Sequence, residues 1–185
     1  MSTYYNNRLT VEGSPKDVVA FTLRVPGKEP DQCGTQYSPP PIHQPLAFSS
    51  LAPLPSVKTS GPSAKEWIIN EWGCNSYAFD VFRNYTANGG TQALSKCVYT
   101  FKTYGGPPQI WVLMASRIFP RIRFCLEYEH TLRVWCTSPA GKMIYQDGRY
   151  LEALVEITGT DGGRKTVNRI KFAPDVDRVG ISDNP

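Results

Sequence analysis

The sequence predicts an α+β fold in which one antiparallel sheet carries two helices on a single face. Three observations predict it. Strict alternation of apolar and polar residues marks strands, as at Arg121–Glu129. Helix-start chemistry appears at Ser14-Pro15-Lys16-Asp17, and an apolar run opens behind Pro107-Pro108. These elements come in the order strand, helix, strand, strand, helix, strand.

Arg8-Leu9-Thr10-Val11-Glu12 is the first strand, broken by Gly13. Ser14 then caps a helix with Pro15 in its first position and Asp17 in its first turn. Val18, Val19, Phe21, Leu23 and Val25 are expected to carry that helix onto the core before Pro26-Gly27 ends it.

Nine of the 16 prolines fall between Pro26 and Pro62. Each lacks a backbone donor, which disfavours long regular structure, while Phe48, Leu51 and Leu54 supply apolar anchors. The segment therefore reads as a long loop tied down at Phe48–Pro55. Ser63 with Glu66 makes a capping box for a short helix through Trp72. Tyr77–Phe82 and Cys97–Lys102 read as strands, separated by turn chemistry from Asn84 to Gly90. The apolar run Pro108–Phe119 is a helix whose expected core stripe is Ile110, Leu113, Met114 and Ile118, and Pro120 stops it.

In the fourth strand Ile122, Phe124, Leu126 and Tyr128 share one face, and Arg121, Arg123, Cys125 and Glu127 the other. Leu132–Cys136 reads as a further strand, followed by a meander with Asp147-Gly148 and Asp161-Gly162-Gly163 at its tips. The order is the ferredoxin-like, or split βαβ, plan. Residues 1–173 form a single domain, with 26–62 a proline-rich insertion and 132–173 a β extension, and 174–185 form a polar tail.

Composition narrows the function classes. The 185 residues are 41% hydrophobic and 12% aromatic, too rich for a disordered chain. The net charge of +4 is mild against the lopsided balance of a nucleic-acid coat protein. No run approaches the roughly 18 apolar residues of a membrane span, and no signal peptide is visible behind Met1. The five cysteines, Cys33, Cys74, Cys97, Cys125 and Cys136, are odd in number and lack metal-ligand spacing, so they read as reduced thiols of an intracellular protein.

Several short stretches resemble the YubB ferredoxin-like family of phage- and plasmid-borne proteins. They are Asn7-Arg8-Leu9-Thr10-Val11-Glu12-Gly13, Phe48–Pro55, Trp67–Gly73 followed by Ala78-Phe79-Asp80, Tyr99-x-Phe101-x-Thr103 with Pro107-Pro108, and Phe119-Pro120 through Tyr128. The chain departs from the family pattern at Asn75-Ser76, where the family has Lys-Trp, and at Gly105, where it has Trp. The resemblance implies the fold, a mobile-element origin and the bacterial host cytoplasm as setting, and it supplies no reaction.

The inventory points away from catalysis. His43 and His130 lie in no nucleophile–base order, and Glu127 and Glu129 share their strand face with Arg121 and Arg123 as a charge-balanced surface. No phosphate-binding glycine spacing occurs. No catalytic, metal or cofactor residues are assigned. With Arg8, Thr10, Glu12, Val98, Thr100 and Lys102 turned outward, the open side of the central strands is expected to lack aromatic rings for stacking bases. Arg117, Arg121, Arg123, Arg133 and Trp135 are the candidate contact residues, of the types that dominate protein interfaces.

The leading expectation is a non-enzymatic protein that occupies a host protein, with interference in a bacterial defence system as the setting. Nucleic-acid binding through the basic face is the alternative. A small-molecule sponge with its pocket between the sheet and the Phe48–Pro55 loop is the third reading. Edge pairing into a homo-oligomer is left open.

Overall fold

The computed structural model describes residues 4–28, 43–53, 64–86, 95–131, 138–161 and 164–172. β1 (Tyr4–Gly13) forms the middle of the sheet, antiparallel to β5 (Ser95–Tyr104) on one side and to β6 (Arg123–His130) on the other. β4 (Phe79–Thr86) lies outside β5. Beyond β6 follow β7 (Ser138–Gln146), β8 (Arg149–Asp161) and β9 (Arg164–Phe172), each antiparallel to its neighbour. Among the described residues this gives one seven-stranded sheet in the order β4-β5-β1-β6-β7-β8-β9. The architecture is mixed α+β, with three α-helices among the described residues, α1 (Pro15–Arg24), α2 (Ala64–Trp72) and α3 (Gln109–Ile118). None of them is long and apolar enough to cross a membrane.

Alternation decides the faces. Leu9, Val11, Cys97, Tyr99, Phe101, Phe124, Leu126, Met143 and Tyr145 project to the same side and are buried there with the inner residues of all three helices. Phe21 of α1 makes edge contacts with Tyr99 and Phe124, and Trp111 of α3 lies 5.0 Å from Phe48. Tyr99 and Phe101 therefore face the helices, as the alternation requires. The opposite face of β4, β5, β1 and β6 carries no described helix.

α1 starts as its sequence specifies: the Asp17 N–H donates to Ser14 Oγ at 3.2 Å, with Pro15 in the first turn. Its buried stripe differs from the expected one. Val18, Phe21, Thr22 and Val25 are buried, whereas Val19 is 50% and Leu23 77% exposed. The buried set has the i, i+3, i+4, i+7 spacing of one helical face. Thr22 can join it because its hydroxyl donates to the Val19 carbonyl at 2.9 Å.

α3 shows the same correction. The buried residues are Trp111, Val112, Ala115 and Ser116, while Ile110 and Ile118 are exposed and Leu113 and Met114 only flank the core. Two polar bonds set that rotation. Trp111 Nε1 donates to the Phe48 carbonyl at 3.0 Å. Ser116 Oγ donates to the Leu113 carbonyl and accepts the Gly148 N–H at 3.1 Å. A hydrophobicity count cannot see either bond.

The proline-rich insertion is anchored close to where the sequence places the anchor. Short strands β2 (Gly27–Lys28) and β3 (His43–Gln44) pair at its neck. Leu46, Ala47 and Phe48 follow with no exposed surface, and Phe48 begins a 3-10 turn to Ser50. Trp72 Nε1 donates to the Ala52 carbonyl at 3.3 Å, tying α2 to the same segment. Leu54, Pro55 and Ser63 lie outside the described residues, as do the expected strand Leu132–Cys136 and the polar tail.

Strand boundaries differ from expectation in β1, β4, β5 and β6, the last running from Arg123 to His130 and not from Arg121 to Glu129. β1 begins at Tyr4 and not at Arg8, and β5 runs on to Tyr104. β4 begins two residues later than Tyr77 and extends through Asn84, Tyr85 and Thr86, which were expected to be turn. It carries a bulge between Phe79 and Phe82, with Asp80 at φ 52°. The Asp147-Gly148 tip does join β7 to β8, both residues having the positive φ of a tight hairpin turn.

Candidate functional site

The extended ends of β1 and β5 and the bulge of β4 build a surface on the open face of the sheet. Register runs one row of outward residues through Phe82, Thr100, Arg8, Glu127 and Lys142. A second row passes through Phe79, Lys102, Asn6 and Glu129. Between the two lies a groove of about 750 Å³, with Phe82 and Asp80 on the β4 side and Glu127 and Glu129 on the β6 side. It crosses the strands, and Thr100, Arg8, Asn6 and Lys102 form its floor.

This face is not free of aromatic rings, which corrects the expectation from sequence. Phe82 is 67% exposed. Phe79 stacks on Tyr104 with centroids 4.9 Å apart and an interplanar angle of 23°, and Tyr4 meets Phe79 edge-on at 6.3 Å. Lys102 Nζ sits 4.9 Å from the Tyr4 ring centroid. Tyr4 and Tyr104 follow the same alternation as Arg8 and Lys102. They were missed because both strands outrun their apolar cores, and Phe82 was missed because the bulge resets the parity of β4.

Four cations of the face lie beside carboxylates. Lys102 Nζ lies 2.8 Å from Asp80 Oδ2, Lys96 Nζ 2.9 Å from Glu12 Oε1, Lys142 Nζ 3.5 Å from Glu127 Oε1, and Arg8 Nε 3.9 Å from Glu127 Oε2. The hydrogen bond from Lys102 to the Asp80 carboxylate holds its ammonium above the ordinary lysine value. Cys125, beside Thr10 in this face, has its thiol pushed up mainly by burial, and buried Cys97 on the helix side is shifted the same way. Burial outweighs the nearby Lys142 and Arg123 at Cys125 and Arg83 at Cys97, so neither sulfur is held as a thiolate nucleophile.

The basic residues singled out in the sequence do not share one face. Arg123 stands on the open side, in register with Glu12. Arg117 belongs to α3 on the helix side, where its aliphatic chain packs over Gly148. Arg121 is exposed in the turn between α3 and β6. Arg133 and Trp135 lie outside the described residues. The space between the sheet and Phe48 is filled by the rings of Phe48, Trp72, Phe101 and Trp111, while Leu54 and Pro55 of the expected sponge pocket lie outside the described residues.

The two departures from the resembled sequence pattern meet in space. A Cβ at Gly105, where φ is +75°, would collide with the Asn75 side chain. Asn75 N–H donates to the Tyr104 carbonyl at 2.8 Å, and the Tyr104 N–H donates to Ser76 Oγ at 2.8 Å. Residues 75, 76 and 105 thus brace the end of β5 that presents Tyr104. No family model matches the chain, and comparison with curated proteins and with solved structures returns no match.

Proposed function

We propose that this is a non-catalytic binding protein that takes a protein partner on the open face of its sheet. The order β4-β5-β1-β6, with α1 and α3 on the same side, supports reading that part as a ferredoxin-like core extended by β7, β8 and β9. One observation carries the choice of partner: Arg8, Lys96, Lys102 and Lys142 each lie within 4.0 Å of a carboxylate on the same face. A phosphate backbone draws its affinity from unneutralised cations that displace counterions. Here such a ligand would meet Glu127, Glu129 and Asp80 as well. An exposed ring set among paired charges suits a protein surface, where aromatic residues and arginine act as anchors inside a polar rim.

Aromatic rings on the open face, Phe82 on the edge strand and the part-exposed Tyr4 and Tyr104 on β1 and β5, favour nucleic acid as the second reading, since bases stack on such rings. The resemblance noted in the sequence supports placing the protein on a mobile element, with a host protein of the bacterial cytoplasm, a defence component among them, as the target. Affinity capture from bacterial lysate tests this, with bound proteins quantified for the wild type, Phe82→Ala and Arg8→Glu. Labelled single- and double-stranded oligonucleotides at low salt provide the parallel arm. A captured protein lost on Phe82→Ala by about 30-fold, the scale of one hot-spot anchor, is expected. Oligonucleotide binding with a steep salt slope that both variants abolish would replace the reading with nucleic-acid recognition.

A further inference from the structure

We propose that two copies of the chain associate by pairing β4 with β4, antiparallel about Asn84, so that their sheets join into one. β4 and β9 stand at the two ends of the strand order. Each therefore has an outer row of backbone N–H and C=O groups that no described strand pairs, and such a row is a template for another strand. The two ends differ in what guards them. The β9 sequence holds four basic residues in nine, Arg164, Lys165, Arg169 and Lys171.

β4 is guarded over its first half only. There the bulge between Phe79 and Phe82, and the Asp80–Lys102 ion pair beside it, turn the edge away from a flat partner. From Phe82 to Thr86 the register against β5 is unbroken, with one charged residue, Arg83, and no proline. The most exposed ring of the open face, Phe82, stands at the start of that stretch.

Register selects the axis. In an antiparallel pair, opposite residues share a face, so a two-fold axis must pass through a residue pair. Centring on Phe82 runs the strand into the bulge. Centring on Arg83 sets two guanidinium-bearing residues directly opposite. Centring on Asn84 uses the whole regular stretch, placing Phe82 opposite Thr86, Arg83 opposite Tyr85, and Asn84 opposite its own copy. The open faces then become continuous, and the groove of each copy ends at the seam beside Phe82. A contact of five residues a strand is far below a standard interface, so the dimer is reversible and concentration-dependent. The inference stands apart from the identity of any partner on the open face.

Sedimentation velocity on the full chain over a wide concentration series tests it. The wild type is expected to shift with concentration from 20.7 kDa toward twice that mass. Asn84 is exposed, so its substitution leaves the core alone. Asn84→Lys and Asn84→Glu should each remain monomeric, since like charges meet on the axis. An equimolar mixture of the two should recover the dimer. A wild type that stays at 20.7 kDa throughout overturns the proposal. So does an Asn84→Lys protein that associates as the wild type does, or a mixture that dimerises no better than its parts.

Discussion

Phe48→Ala removes a ring that three other aromatic side chains touch: Trp111 at 5.0 Å, Trp72 at 5.5 Å and Phe101 at 5.9 Å. The residue has no exposed surface although it lies in the proline-rich insertion. Truncation of a buried phenylalanine costs about 3–5 kcal/mol, the sum of lost transfer energy and the cavity left behind. Three aromatic contacts favour the upper half of that range, since each contributes about 0.5–1.5 kcal/mol beyond its buried area. Relaxation of the short 3-10 turn acts the other way, and about 4 kcal/mol is expected. The Phe48 carbonyl survives the substitution, so Trp111 Nε1 keeps its acceptor and the loss measures packing alone. For a chain of this size that corresponds to a fall in Tm of roughly 8–16 °C. Urea unfolding followed by far-UV circular dichroism should show a lower midpoint with an unchanged slope. A loss below about 1 kcal/mol, the range of a surface residue, would refute the placement of the insertion in the core.

Three further outcomes follow from the structure. Gly141→Ala should destabilise by about 1–3 kcal/mol because its Cβ would fall into the Tyr128 ring across the β6–β7 pair; adding Tyr128→Leu should restore part of the loss in the same urea assay. Burial pushes the Tyr99 and Tyr145 hydroxyls above their ordinary 10.0, so the folded state holds protons that the unfolded chain releases. Their contribution is intact below pH 10.0 and is lost as the pH climbs from there toward the folded values. The urea midpoint should fall steeply above that pH and less steeply in Tyr145→Phe, and a midpoint that stays flat to about pH 11 would contradict their burial. Phe82→Ala should leave stability within about 0.5 kcal/mol, as for an exposed side chain; a larger loss by thermal melting would mean the ring is packed and not presented.

Local chemistry was legible where it is written in adjacent residues. Ser14, Pro15 and Asp17 specify the start of α1 because a cap is made within one turn. Phe124, Leu126 and Tyr128 mark the inner side of β6 because alternation in a half-buried strand is itself local. Phe48 could be recognised as an anchor because an apolar cluster among prolines has few other uses. The helix rotations were not legible. Val19, Leu23, Ile110 and Ile118 are as apolar as the residues that displaced them. In α3 the exposure of Ile110 and Ile118 follows from Trp111 reaching the Phe48 carbonyl and Ser116 meeting the Gly148 N–H, and in α1 that of Val19 and Leu23 follows from Phe21 packing on Tyr99 and Phe124, all partners remote in the chain.

The candidate site divides along the same line. Alternation alone turned Arg8, Thr100 and Lys102 outward and Tyr99 and Phe101 inward, since a period of two leaves no third choice. Whether the open face held rings depended on how far β1 and β5 extend and on the bulge in β4. Those features are set by the pairing of Tyr4 with Tyr104 and by the left-handed turn at Asp80, and both exist only when the strands meet. A chain carries its periodicities and caps in its own neighbours. Strand ends, bulges and the neutralisation of one charge by another are properties of pairs, and they come into being only when folding brings the two members together.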